Sequence, residues 1–408
     1  MIDHTISASR GPSKSNVYLL AGLAALGTLS TNIILPSFPS ISADLDVPSI
    51  RLSLTLSVFF LVFAGGQLVV GPLSDRIGRR LPIVTGLAVF VIGSLICAMA
   101  QDFNTLLAGR VVQALGICAA SVLSRAIARD LFEGAALMKA MSFMMVASAA
   151  APGFSPLFGA LLEKTLGWPA TFAFTGLCGA LIGSLYLLSV GETHHPQKDR
   201  TEAKQWAMKS YIDVGTSAKF LGPTLATGFI MGGLFGFFSA APSILLGQMG
   251  FSALGIGWFF AATVFIVFAA GAVAPHLIKR SSAFAVAVAG LSIAILGGGA
   301  LILSGALSAG SLLFFTLATV TFLFGMGLSL PLCTGQALTP FSHLAGAASS
   351  LLGFFQMIGA ALGTGLIAAL PTDPSVSLGL VQSGGCLLGL IALLLSASKS
   401  ATKNTVPL

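Results

Sequence analysis

The sequence predicts an all-α membrane protein of twelve transmembrane helices in two six-helix pseudo-repeats. Three observations predict it. Of 408 residues, 55% are hydrophobic and only 8% are charged, whereas soluble domains carry about 25% charged residues. So few charges cannot cover a water-facing surface, and lipid must cover most of it. The apolar runs are long and continuous, each near the roughly 20 residues a helix needs to cross hydrocarbon. Lysine and arginine, finally, fall almost entirely in alternate loops.

The runs lie near 17–38, 50–72, 82–100, 104–128, 138–162, 168–190, 220–245, 252–275, 282–304, 309–332, 342–368 and 375–397. Hydrocarbon tolerates no unpaired backbone, so each must be a helix or a barrel strand. Barrel strands would alternate over about ten residues, and these runs do not. The polar start, MIDHTISASRGPSKSN, leads directly into a full span and does not read as a cleavable signal peptide. With the N-terminus inside, 17 of the 20 Lys and Arg face the cytoplasm, two face outward (Arg51, Lys164) and one, Arg110, lies within a span. That asymmetry puts both termini in the cytoplasm. The polar stretch 191–219 splits the chain into residues 1–190, a cytoplasmic linker and residues 220–408. Trp206 and Tyr211 in that linker suggest a short surface helix, and His194–His195 read as solvated rather than metal-binding. Each of the five cysteines, Cys97, Cys118, Cys178, Cys333 and Cys386, sits alone in an apolar run. None is spaced for a metal or redox pair. No cofactor is expected, and the scattered positive charge gives no nucleic-acid face.

One stretch concentrates charge: GPLSDRIGRR, residues 71–80, between spans 2 and 3. Gly71 suits a close helix contact, Gly78 suits the turn, and Arg76, Arg79 and Arg80 hold that turn inside. Topology alone leaves Asp75 unexplained, because acids contribute little to orientation. Two hundred residues later GAVAPHLIKR, 271–280, repeats the pattern with Pro275 in place of the acid, as expected of a transporter built from repeats.

These residues resemble the signature of the major facilitator superfamily: a Gly, three residues, Asp-Arg, one residue, Gly-Arg-Arg. The resemblance implies the major facilitator fold and gives Gly71, Asp75, Arg76, Gly78, Arg79 and Arg80 a conformational-switch role. GRVVQALG, 109–116, resembles the span 4 motif with Arg110 and Gln113 three apart. APGFSPLFGA, 151–160, resembles the span 5 antiporter motif through Pro152, Ser155, Pro156 and Gly159, with Ser155 and Ala160 where glycines are usual. TNIILPSFPSISADL, RAIARDLF and LAGAASSLLGFF are similar to stretches of the Bcr/CflA-type drug exporters of bacterial inner membranes.

Those exporters commonly carry an acid shortly before Leu-Pro in span 1; Asn32 stands there instead. Assigning all 13 acids to loops or the cytoplasmic side, with Glu163 in an outer loop, leaves no carboxylate inside the membrane. Arg110 is then the one firmly charged span residue, about 9 Å from the outer end of span 4, at a depth similar to Asn32. An arginine at that depth costs at least about 2.5–3.5 kcal/mol unless it meets a cavity or a partner. Either Arg110 binds substrate or gates the cavity, facing Asn32, or it is a structural group held by span 1 carbonyls and Gln113. Phe59, Phe63, Phe235, Phe237, Phe238, Phe354 and Phe355 are candidate cavity walls, and Gln67, Gln248 and Gln356 candidate polar points.

The expected function is secondary export of a small organic molecule, drug-like and neutral or anionic, by alternating access. Protons are the expected coupling ion by resemblance; Asp75 and Asp130 lie on the cytoplasmic side, and His276 and His343, at the inner ends of spans 8 and 11, titrate in the useful range but read as ordinary interfacial residues. A monomer in the bacterial inner membrane is expected. Export of an endogenous metabolite, such as a siderophore or amino-acid derivative, is the alternative, and a non-transporting sensor a more distant one. No nucleotide-binding loop and no catalytic constellation within the spans suggest an enzyme.

Overall fold

The computed structural model describes residues 14–193, 209–306 and 311–403. His194, His195 and Trp206 lie outside the described residues, as does the side chain of His343. Among the described residues, twelve helices are long and apolar enough to cross a membrane. We number them α1 (Lys14–Asn32), α2 (Ser53–Ile77), α3 (Arg80–Ala98), α4 (Phe103–Leu131), α5 (Gly134–Leu166), α6 (Pro169–Ser189), α7 (Ala218–Pro242), α8 (Ala253–Arg280), α9 (Ala283–Ala306), α10 (Leu312–Leu338), α11 (Ala345–Ala369) and α12 (Pro374–Lys403). No strand occurs among the described residues.

The packing repeats. In the first half α1 lies on α4, α5 and α6, α3 on α4 and α6, and α2 on α4. Adding six to each number reproduces the contacts of the second half: α7 on α10, α11 and α12, α9 on α10 and α12, and α8 on α10. Among the described residues two extensive contacts cross between halves, α2 on α11 and α5 on α8; adding six (and counting past twelve from one) exchanges these as well. The 271–280 repeat in the sequence is thus matched by a repeat in three dimensions.

Helix ends follow local chemistry. Asp102 accepts from the Thr105 amide (2.9 Å) and hydroxyl (2.6 Å), capping α4. Those bonds hold its carboxyl below the usual carboxylate range. Gly78 (φ +92°) and Gly167 (φ +80°) end α2 and α5 in backbone that L side chains rarely adopt. Two sequence expectations need correction here. GPLSDRIGRR is not all turn: α2 runs through Ile77, so Asp75 and Arg76 sit in its last turn. Glu163 is not in a loop: α5 continues past residue 162 to Leu166, placing this acid inside a spanning helix, half-buried. Glu163 does not terminate the helix; Gly167 does.

The basic face, which carries Arg76, Arg80, Arg129, Lys139, Lys279 and Arg280, differs from the opposite face in how the halves meet. Toward the opposite face α5 and α8 pack tightly, with Gly153 against Phe260 and Val264, and Gly257 against Leu157. The one-turn segment Leu35–Ser37 is wholly buried there and touches α5, α7 and α8. Toward the basic face, Ser142, Phe143, Met145 and Val146 of α5 are exposed. So are Phe268, Gly271, Ala272, Val273 and Pro275 of α8. Between α5 and α8 the halves are packed at one face and exposed at the other, whereas α2 and α11 stay close toward the basic face, Ser350 Oγ lying 3.8 Å from a would-be Cβ of Gly71.

Candidate substrate site and cation network

Arg110 lies in the middle of the first half with 0% exposure. Its Nη1 donates to Gln113 Oε1 (2.5 Å) and to the Ser30 carbonyl of α1 (3.2 Å). Its guanidinium carbon sits 4.6 Å from the Phe59 ring centroid and 5.8 Å from that of Phe172. Cation–π contacts of this kind are worth about 2 kcal/mol or more when desolvated. Gln113 passes the network on, donating to Ser94 Oγ (2.8 Å) and Thr175 Oγ1 (3.5 Å). Nε and Nη2 of Arg110 are buried without a partner, and among the described residues no carboxylate pairs with it. A buried polar group left unpaired costs about 1–3 kcal/mol, more for a charged one. The site therefore holds donors awaiting an acceptor.

Asn32 does not supply that acceptor. It is buried, and its amide donates to Thr28 O (2.9 Å) and Thr31 Oγ1 (3.0 Å) on its own helix. Around Arg110 the aromatic residues form a chain that crosses the seam. Phe59 stacks on Phe63 (6.2 Å), Phe60 meets Phe235 (4.3 Å), and Phe235 and Phe237 adjoin Phe238. Gln67 is buried opposite Gly353 of α11, and Gln356 is half-buried on the same helix. Phe354 and Phe355 pack on each other (5.5 Å). Gln248 stands apart, exposed and bonded to Asp373 (2.7 Å). In α5, Ser155 and Pro156 are buried, Pro152 is half-buried, and a Cβ at Gly159 would strike the Ile33 carbonyl. Glu163 accepts a hydrogen bond from Ser40. It lines a cleft of about 360 Å³ at the opposite face, with Pro36, Phe38, Ser243 and Phe251.

The second site is the cation network at the basic face. Arg79 donates to Asp75 Oδ1 (2.6 Å), Ser74 Oγ (2.5 Å) and Asp130 Oδ2 (3.3 Å). The carboxylate of Glu192 accepts from the backbone amides of Arg79 (2.7 Å) and Arg80 (3.1 Å), satisfying donors that the start of α3 would leave unpaired. Its atoms also occupy the space where a Cβ of Gly78 would sit. Thr193 closes the ring on Asp130 (3.1 Å). Arg76 and Arg80 are exposed, and Gly71 has no crowded neighbour, Ser350 Oγ lying 3.8 Å from its would-be Cβ. Sequence reasoning missed Phe172, Ser94, Asp130 and Glu192. RAIARDLF contains Asp130, but nothing local ties it to a residue 51 positions earlier.

A family model, that of the Major Facilitator Superfamily, matches residues 20–364. The chain is 31% identical to the uncharacterised MFS-type transporter YdgK of Bacillus subtilis, over 84% of this chain and 85% of the relative. It is 29% identical to multidrug resistance protein D of Escherichia coli (92% and 93% covered) and 28% identical to a chloramphenicol resistance protein of Pseudomonas aeruginosa (88% and 85%). Among solved structures, a peptide transporter POT in complex with sulfate shares the fold at TM-score 0.76 and 14% identity, over 98% of this chain and 99% of that one. A bacterial homologue of the lysosomal transporter Spinster, inward-facing and unoccupied, gives TM-score 0.71 at 18% identity, over 95% and 96%. A repeated six-helix packing, a charged turn after the second helix and this family match over most of the chain lead to one conclusion: the protein is a multi-pass transporter of the major facilitator superfamily.

Proposed function

We propose that this chain exports small organic molecules, neutral or anionic, across the bacterial inner membrane by alternating access, in exchange for protons. The observation that carries the substrate class is Arg110, fully buried with two free donors and no carboxylate partner. Such a site welcomes an oxygen acceptor or an anion and repels a cation. The relatives named for multidrug and chloramphenicol resistance support export of drug-like compounds. Lysine and arginine density favours a cytoplasmic basic face, with both termini there, so substrate would enter from inside where α5 and α8 stand exposed. Residues 1–190 and 220–408 would be the moving units, joined by 191–219, and a monomer in the bilayer suffices for this cycle.

The test is proton movement in inverted vesicles containing the purified protein, on adding a panel of neutral, anionic and cationic aromatic compounds. Neutral and anionic members are expected to dissipate an imposed proton gradient. A response confined to cationic members overturns the substrate class, and substrate movement without proton movement overturns the coupling.

The cation network supports a second expectation. Asp75 is largely exposed and one carboxylate of several around Arg79, so its static worth is within about 1 kcal/mol. Asp75→Asn is expected to slow turnover several-fold and leave the ranking of substrates unchanged. A changed ranking at normal turnover would contradict a conformational role.

A further inference from the structure

The Arg-Ala-Ile-Ala-Arg-Asp stretch, 125–130, is only partly used by the cation network: Asp130 joins it, the two arginines do not. Arg125 lies six residues inside the end of α4, about 9 Å from that terminus, yet it is exposed. Among the described residues it has no ion-pair partner. At 29 residues α4 is about 44 Å long, longer than the roughly 30 Å hydrocarbon core, so Arg125 falls near the inner boundary, where an exposed guanidinium reaches water. Its position says where. Ile117 packs toward Gly27 of α1 and Cys118 against Gly66 of α2. Arg125 falls one heptad beyond Cys118, about 20° from it on the side toward α1. It therefore points into the angle between α1 and α2 rather than outward, at the face where α5 and α8 stand exposed. It also lies fifteen residues from Arg110, which is about 60° around and about 22 Å along the helix. Arg129 follows one turn later, exposed as well.

We propose that Arg125 is the entry site for organic anions, with Arg129 one turn nearer the mouth, and that it selects carboxylate-bearing substrates before they reach Arg110. This rests on the export reading above and adds the substrate class and the residue that reads it. A guanidinium offers a planar fork that matches a carboxylate in two parallel bonds. Two like charges at the rim of a low-dielectric mouth concentrate anions there. The free donors of Arg110, on the same side of the helix, give the anion a second station deeper in.

The probes are 1-naphthoate and its uncharged isostere 1-naphthamide. Equilibrium binding to purified protein in nanodiscs decides the role of Arg125; uptake into inverted vesicles decides export separately. The wild type is expected to bind 1-naphthoate about tenfold more tightly than the amide at low salt. That preference should shrink several-fold between about 20 and about 300 mM salt. Arg125→Gln should bring the ratio of the two affinities to about one, and Arg125→Lys should restore part of it. Equal affinities in the wild type, or a ratio untouched by Arg125→Gln, overturns the proposal even if both compounds are exported. Should Arg125→Gln fail to fold, the salt dependence and the lysine variant still decide: a salt-independent wild-type ratio overturns it.

Discussion

Arg110→Ala is expected to abolish transport, by at least about a hundredfold, while the protein still inserts; that loss corresponds to about 2.7 kcal/mol of activation free energy. The alanine removes the guanidinium held over Phe59 and leaves Gln113 Oε1 and the Ser30 carbonyl without their donor. Each such loss costs about 1–3 kcal/mol in a buried setting, so melting temperature should fall as well. The two roles separate with Arg110→Lys. A lysine keeps the charge but not the fork or the planar stack. If Arg110 only props α4 on α1, variants that regain thermal stability regain transport in proportion. If it binds substrate, Arg110→Lys is expected to recover stability more than transport, with KM raised. Efflux unchanged in Arg110→Ala would remove the direct role altogether.

Gly363→Val is expected to give the largest loss of stability. On α7, Gly228 and Gly232 face Gly359 and Gly363 of α11, each pair four residues apart. A Cβ at Gly359 would strike the Gly228 carbonyl, and one at Gly363 the Gly232 carbonyl. This is the small-residue spacing that lets membrane helices pack backbone to backbone. Valine must push the helices apart, and two backbones cannot yield as a flexible side chain can. The cost should exceed the about 1–3 kcal/mol typical of overpacking, lowering the melting temperature of the purified protein by roughly 5 °C or more. The damage should spread, since α11 also crosses the seam: Ser57 Oγ donates to the Ala361 carbonyl (2.7 Å). Gly335→Ala and Gly384→Ala, where a Cβ meets nothing within 4 Å, serve as controls and should melt like the wild type. Equal melting of all three variants would refute the crossing as a stability determinant.

The number of spans and their type were legible because each depends on a run of neighbouring side chains. Length and apolarity are local quantities, and lipid imposes them segment by segment. The pseudo-repeat was visible at 71–80 and 271–280 for the same reason. Glu163 was misplaced because the length of a helix beyond the hydrocarbon is set by its terminator, here Gly167 with φ +80°, and an acid near the interface does not end a helix. Asn32 was paired with Arg110 on depth alone; its amide donates instead to the Thr28 carbonyl of its own helix, an acceptor that a guanidinium cannot offer.

What the sequence determined by itself is therefore the membrane class, the twelve spans and the two charged stretches at Arg110 and at 71–80. Only the tertiary structure decided what those charges touch. Arg79 meets Asp130 across 51 residues, its backbone meets Glu192 across 113, and Arg110 meets Ser30 across 80. A charge is a property of one residue, but its partner is fixed by how helices far apart in the chain come to lie side by side.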